Sequence, residues 1–155
     1  MVMELEFVKI ERCDKETEEV LAEESDAFLN TPIKYVKDHL KEFIYVESKN
    51  FEEINVDAIS LEVDDVFGTY MALFGFKKQK KYASTIKQFL ETHLHTDSEK
   101  NYSAFFAGDE GLWEINLPLD FIQGFSEELS LRETVSVTYE FVKQLNETIK
   151  KMIEA

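Results

Sequence analysis

The stretch from Leu131 to Met152 carries the most restrictive pattern in this chain. Leu131, Val135, Thr138, Val142, Leu145, Ile149 and Met152 follow one another at alternating spacings of four and three. A helix places all of them on one stripe, apolar except at Thr138. Ser130 and Glu133, immediately ahead, have the S-x-x-E spacing of a capping box. Such a helix needs a surface for its seam, either a sheet of the same chain or a second helix. Docking on a sheet of the same chain is the expectation. The flanking Val137, Tyr139, Phe141 and Ile153 are then left for a secondary, homodimeric contact.

The rest of the chain supplies that sheet. Leu5 to Ile10 reads as a first strand, and Val56 to Val63 alternates with Ile59, Leu61 and Val63 inward and Ser60 and Glu62 outward. The segment Val66 to Phe76 fits both periods. Its aromatics, Gly68 and Gly75, following a turn at Asp64-Asp65, favour a strand. Tyr102 to Ala107 and Leu112 to Leu117, joined by Gly108-Asp109-Glu110-Gly111, form a hairpin pattern. In its second arm Trp113, Ile115 and Leu117 share one face, and Glu114 and Asn116 the other.

Helices are expected elsewhere. Ile33, Val36, Leu40, Phe43 and Ile44 recur at helical spacing behind Thr31 and Pro32, and Tyr82, Ile86, Phe89, Leu90 and His93 do so within Lys77 to Thr96. Asp120 and Gln123 have capping-box spacing for a short helix through Leu129. Asp14 to Asp26, dense in acids, reads as a solvated helix or a mobile segment. The expected fold is α+β: a single domain over residues 1–155, with a mostly antiparallel sheet of about five strands covered by helices, the longest at the C-terminus.

Charge bounds the function. The 155 residues carry a net charge of −15. Residues 1–65 hold 19 acids against 7 bases, whereas residues 66–100 hold 3 against 6. Such a surface repels nucleic-acid backbones and anionic lipid. It suits a basic protein partner, or plain solubility. A lone cysteine, Cys13, rules out an internal disulfide and multi-thiolate zinc sites. The beginning of the chain has no apolar run of signal-peptide length, and the longest apolar-plus-glycine run, Tyr70 to Phe76, falls far short of the ~20 residues of a membrane helix. Cytoplasmic placement is the expectation.

Few residues combine into chemistry. His93, His95 and Asp97 carry metal-ligand groups, but residues two apart on a helix do not face each other. No metal is expected there, and His93 reads as a hydrogen-bonded core histidine. Lys77, Lys78, Lys80 and Lys81, at a helix start, are candidates for contact with an anion, although no glycine-rich cradle precedes them. Cys13 has Arg12 and Asp14 on either side, and their effects on the thiol oppose each other. Phe67, Tyr70, Phe74, Phe106 and Trp113 are candidates for an aromatic-lined pocket, with ordinary core packing as the simpler reading.

No catalytic residue and no cofactor is expected. The chain reads as a non-enzymatic interaction, regulatory or inhibitory domain for a basic protein partner, with its acids mainly in residues 14–65, as a monomer or homodimer. The alternative is a small-molecule binder or enzyme using the aromatic pocket.

Overall fold

The computed structural model describes residues 4–94 and 102–154. Its strands are β1 (Phe7–Asp14), β2 (Val20–Glu23), β3 (Glu42–Ser48), β4 (Val56–Val63), β5 (Tyr70–Phe76), β6 (Ser103–Ala107) and β7 (Leu112–Pro118). They form one antiparallel sheet in the order β2-β1-β3-β4-β5-β7-β6. The helices are α1 (Lys34–Asp38), α2 (Ala83–His93) and α3 (Leu131–Glu154), with short 3-10 turns between elements.

All three helices pack on the same face of this sheet. Registered partners share a face, so the pairs Ile44↔Leu61, Leu61↔Ala72 and Ala72↔Leu117 define one row, and Ile59↔Phe74 and Phe74↔Ile115 a second. These residues are buried in a core with Ile33 and Val36 of the α1 region, Ile86, Phe89 and Leu90 of α2, and the α3 seam. Leu131, Val135, Val142, Leu145 and Ile149 are buried. Thr138 is buried too, and donates its hydroxyl to the Thr134 carbonyl at 2.9 Å. Met152, past the edge of the core, is 49% exposed.

The capping box at the start of α3 is fully made. Glu133 N–H donates to Ser130 Oγ, and Ser130 N–H to Glu133 Oε1, both at 3.0 Å. Two backbone bonds, Ile33 N–H to the Leu129 carbonyl and Leu131 N–H to the Thr31 carbonyl, each 2.8 Å, tie the entries of α1 and α3 together. The tie places the start of α3 beside Pro32, and the seam then runs across the sheet.

The expected hairpin forms, and Trp113 is 3% exposed. Val56 to Val63 is a strand, and the ambiguous 66–76 segment is a strand from Tyr70. The sheet has seven strands among the described residues, against an expectation of about five; β3 takes the end of an expected helix, and β2 lies in the segment expected as a solvated helix or a mobile stretch. Helix α1 stops at Asp38, and Glu42–Ser48 is β3. Ile44 fits a helical stripe through Ile33 and Val36, yet Phe43-Ile44-Tyr45-Val46 is also a β-branched and aromatic run, and pairing with β1 and β4 wins. The acidic segment 14–26 is the end of β1, a turn and β2. Asp14 Oδ1 takes the N–H groups of Glu16 and Thr17 at 2.9 and 2.8 Å, which makes a turn and competes with a helix.

Two other helices are shorter than their patterns. Asp120 does not open a helix, because its Oδ1 accepts the Tyr70 N–H at 2.9 Å, and only a 3-10 turn forms over Leu119–Phe121. The Lys77–Thr96 pattern yields a 3-10 turn at Lys80–Tyr82 and then α2.

Because the seam is buried within the chain, a Leu145→Ala change is expected to cost ~2–5 kcal/mol. Denaturant unfolding at several protein concentrations checks this. A midpoint lowered by the substitution but independent of concentration is expected, since no second copy is needed to cover Leu145.

Candidate functional site

Among the described residues, no helix lies over the second face of the sheet. The pairs Glu11↔Tyr45, Tyr45↔Ser60, Ser60↔Leu73, Leu73↔Asn116 and Asn116↔Ser103 form a continuous row from β1 to β6. Beside it lie Lys9↔Glu47 at one edge and Gly75↔Glu114↔Phe105 at the other. Tyr45, Ser60, Leu73 and Asn116 are half-buried by their strand neighbours, and Phe105 is exposed.

This open face is concave over its centre. A depression of about 360 Å³ lies among Tyr45, Asp57, Ser60, Leu73, Leu112 and Asn116, with Glu110 and Glu114 also in its lining. A bulge between Val56 and Ile59 sets its floor. There Asp57 Oδ1 accepts the N–H groups of Ala58 at 2.6 Å and Gly75 at 2.9 Å. A β-carbon on residue 75 would meet the Asp57 carboxylate at 2.6 Å, so a side chain there would displace the carboxylate from this position. The bulge thus holds a carboxylate over the sheet, where regular pairing would put only a backbone.

The open face is acidic as well as partly apolar. Tyr45 donates its hydroxyl to Glu47 Oε2 at 2.5 Å. Burial first, and then that carboxylate, push the phenol well above its ordinary value, so Tyr45 is a neutral donor. Lys15 approaches Glu62 at 3.4 Å, contacts Asp65 at 3.0 Å and donates to the Val63 carbonyl. The Glu62 carboxyl is nevertheless raised, because burial outweighs Lys15. Arg12 is directed to the helix side, where it holds Glu24 at 2.7 Å and Glu42 at 3.3 Å, and Tyr35 also donates to Glu42 at 2.9 Å.

The sequence candidates within the described residues each have a definite place. Cys13 is buried, and its thiol is raised by burial and then by Glu11. Arg12, adjacent in the strand, points to the opposite face and does not activate it. His93 ends α2 half-buried, stacked on Phe89 at 3.9 Å, with Nδ1 2.9 Å from the Phe89 carbonyl. His95 and Asp97 lie outside the described residues. Among the described residues, no three His, Cys, Asp or Glu side chains gather as a metal cage, and no helix is long and apolar enough to cross a membrane.

The four lysines do not act as one group. Lys77, Lys80 and Lys81 are exposed, and Lys81 lies over the Tyr82 ring at 5.4 Å. Lys78 meets Lys143, Asn146 and Lys150 around a depression of about 250 Å³ whose lining also holds Glu53 and Glu147. Its ammonium is lowered by burial and then by Lys150.

The five aromatics do not line one cavity. Tyr70, Phe74 and Trp113 are core residues, and Phe106 rests edge-on against Trp113 at 5.6 Å. Phe67 is 67% exposed at the β4–β5 turn, next to Val66 at 82%. The open-face residues Tyr45, Glu47, Asp57 and Leu73 were not singled out by any motif. The available signal was the outward half of the strand alternations, Ser60 with Glu62 and Glu114 with Asn116, and the structure sets those residues on this one surface.

Glu62 provides a pH test. Its folded carboxyl titrates above the ordinary carboxylate value of about 4.3. Between the two values the folded state holds a proton that the unfolded chain has released, so this group's contribution to stability falls as pH rises through that window. Glu62→Gln mimics the protonated form. It is expected to be more stable than the native chain at pH 7, with the difference vanishing as the pH falls to about 4. Denaturant unfolding across that range measures it. A pH-independent difference would contradict the burial argument.

No family model matches this chain, and neither curated proteins nor solved structures give a match.

Proposed function

We propose that this chain is a non-enzymatic interaction domain that takes a basic protein partner on the open face of its sheet. One observation carries this reading: a sheet face free of helices among the described residues combines Tyr45, Leu73, Leu112 and Phe105 with Glu11, Glu47, Asp57, Glu62 and Glu114, against Lys9 at one edge and Lys15 beside Glu62. An apolar centre with a charged rim suits protein association, since apolar burial supplies affinity and the rim selects the sign of the partner. Lysines or arginines brought to this rim would relieve the mutual repulsion of its carboxylates. The overall charge of −15 would steer such a partner inward and hold nucleic acid and anionic membranes away.

The acids that matter on this reading extend past residues 14–65, because β5–β7 contribute Glu114 and Leu73 to the same surface. It fits a cytoplasmic monomer whose helical seam is already covered inside the chain. The alternative, a pocket lined by Phe67, Tyr70, Phe74, Phe106 and Trp113, has less support, because these side chains serve the core or the β4–β5 turn.

Paired charge reversals test the proposal. Glu47→Lys with Glu114→Lys alters the open face, while Glu128→Lys with Glu147→Lys makes the same change in net charge elsewhere. The immobilised native chain should enrich a basic partner from lysate at low salt and release it at high salt. The open-face pair should lose that partner, and the control pair should keep it. Equal loss from both pairs would leave only net charge at work and would defeat the assignment to this face.

A further inference from the structure

We propose a second site, independent of the open face: a cleft on the helix side that binds a small organic amine with an apolar body. The cleft has a volume of about 420 Å³, within the range of small-molecule sites. One wall is a stripe of α3, with Glu133, Ser136, Val137, Glu140, Phe141 and Gln144 recurring at helical spacing beside the buried seam. The facing wall is the segment after β7, with Ile122, Gly124 and Leu129, and His93 at the end of α2 completes the lining.

Ser136 is the first sign of a ligand. It is 4% exposed, and among the described residues its hydroxyl has no hydrogen-bond partner. A buried helical hydroxyl ordinarily donates to the carbonyl four residues back. On this same helix Thr134, Thr138 and Thr148 do so, at 2.8, 2.9 and 2.9 Å. Ser136 is the exception in that series, and it is the member that lines the cleft. A buried polar group left unpaired destabilises the fold, so its retention there points to a partner that the chain does not provide.

Charge and hydrogen-bonding capacity give the class. The lining holds two carboxylates and no lysine or arginine. Glu133 has one oxygen committed to the Ser130 N–H, whereas half-buried Glu140 takes part in no hydrogen bond or ion pair among the described residues. His93 Nδ1 faces a carbonyl, which only accepts, so Nδ1 carries a proton and is not offered to the cleft. Gln123 and Gln144 add donors and acceptors alike, so the two carboxylates set the sign of the cleft, and a carboxylate or phosphate ligand would be repelled. An ammonium satisfies Glu140 and has protons for Ser136 Oγ. Ile122, Val137 and Phe141 would take its apolar part, with Phe141 held edge-on against Phe89 at 5.2 Å.

Thermal unfolding with 2-phenylethylamine and isopentylamine as probes, and 3-phenylpropionate as the anionic match, tests this. At least one amine should raise the melting temperature saturably at about 1 mM or below, the weak end of specific affinity, and the anion should not. Glu140→Gln should weaken the amine at least about tenfold, and Val137→Trp, which fills the cleft, should abolish its effect. Ser136→Ala should raise the melting temperature of the free protein while weakening the amine, a pair of opposite effects that a purely structural serine would not give. No saturable shift with either amine, an equal shift with the anion, or amine binding retained in Val137→Trp would each overturn the proposal.

Discussion

Helix α3 carries more apolar surface along one stripe than water tolerates, and covering that stripe organises the rest of the molecule. The capping box at Ser130 and Glu133 starts the helix, and the backbone ties from Thr31 and Ile33 fix that start beside Pro32. The seam is buried in one core with Ile59, Phe74 and Ile115, and residues of α1 and α2 join it on the same side. The sheet is thus covered on one face, as antiparallel sheets permit. The open face and the cleft beside α3 both follow from that arrangement.

Electrostatics then separate the two sides. Arg12 is drawn to the helix side by Glu24 and Glu42, and so is not available to neutralise the open face. Glu62 keeps a raised carboxyl even with Lys15 close by. The bulge at Asp57 adds a carboxylate above Gly75. Concentrating like charges this way opposes folding, and nothing in the core requires it.

Legibility followed how much of the outcome was local. The hairpin around Gly111 and the α3 seam repeat one period over long stretches and have matching punctuation, and both appear close to their expected bounds. Strands β2 and β3 were hidden. Val20-Leu21-Ala22 is too short to show a period, and Ile44 satisfies the helical spacing from Ile33 as well as the alternation of β3. Pairing with β1 and β4, which no local pattern reports, decided both. Asp120 shows the same limit, because its capping spacing was real but Tyr70, fifty residues away, claimed its carboxylate. The candidate site was half legible. The outward positions of β4 and β7 were readable as outward, whereas their union with Tyr45 and Leu73 needed the strand order.

The helices cover one face of the sheet and leave the other open, and thiol labelling tests this arrangement most directly. With Cys13→Ser as background, Ser60→Cys puts a thiol on the open face of β4, and Ala72→Cys puts one beneath the helices on β5. In the native protein Ser60→Cys should react with maleimide without unfolding, and Ala72→Cys should react only as the chain unfolds globally. Equal protection of the two thiols would mean that the face through Ser60 is covered as well, and would contradict the one-sided architecture.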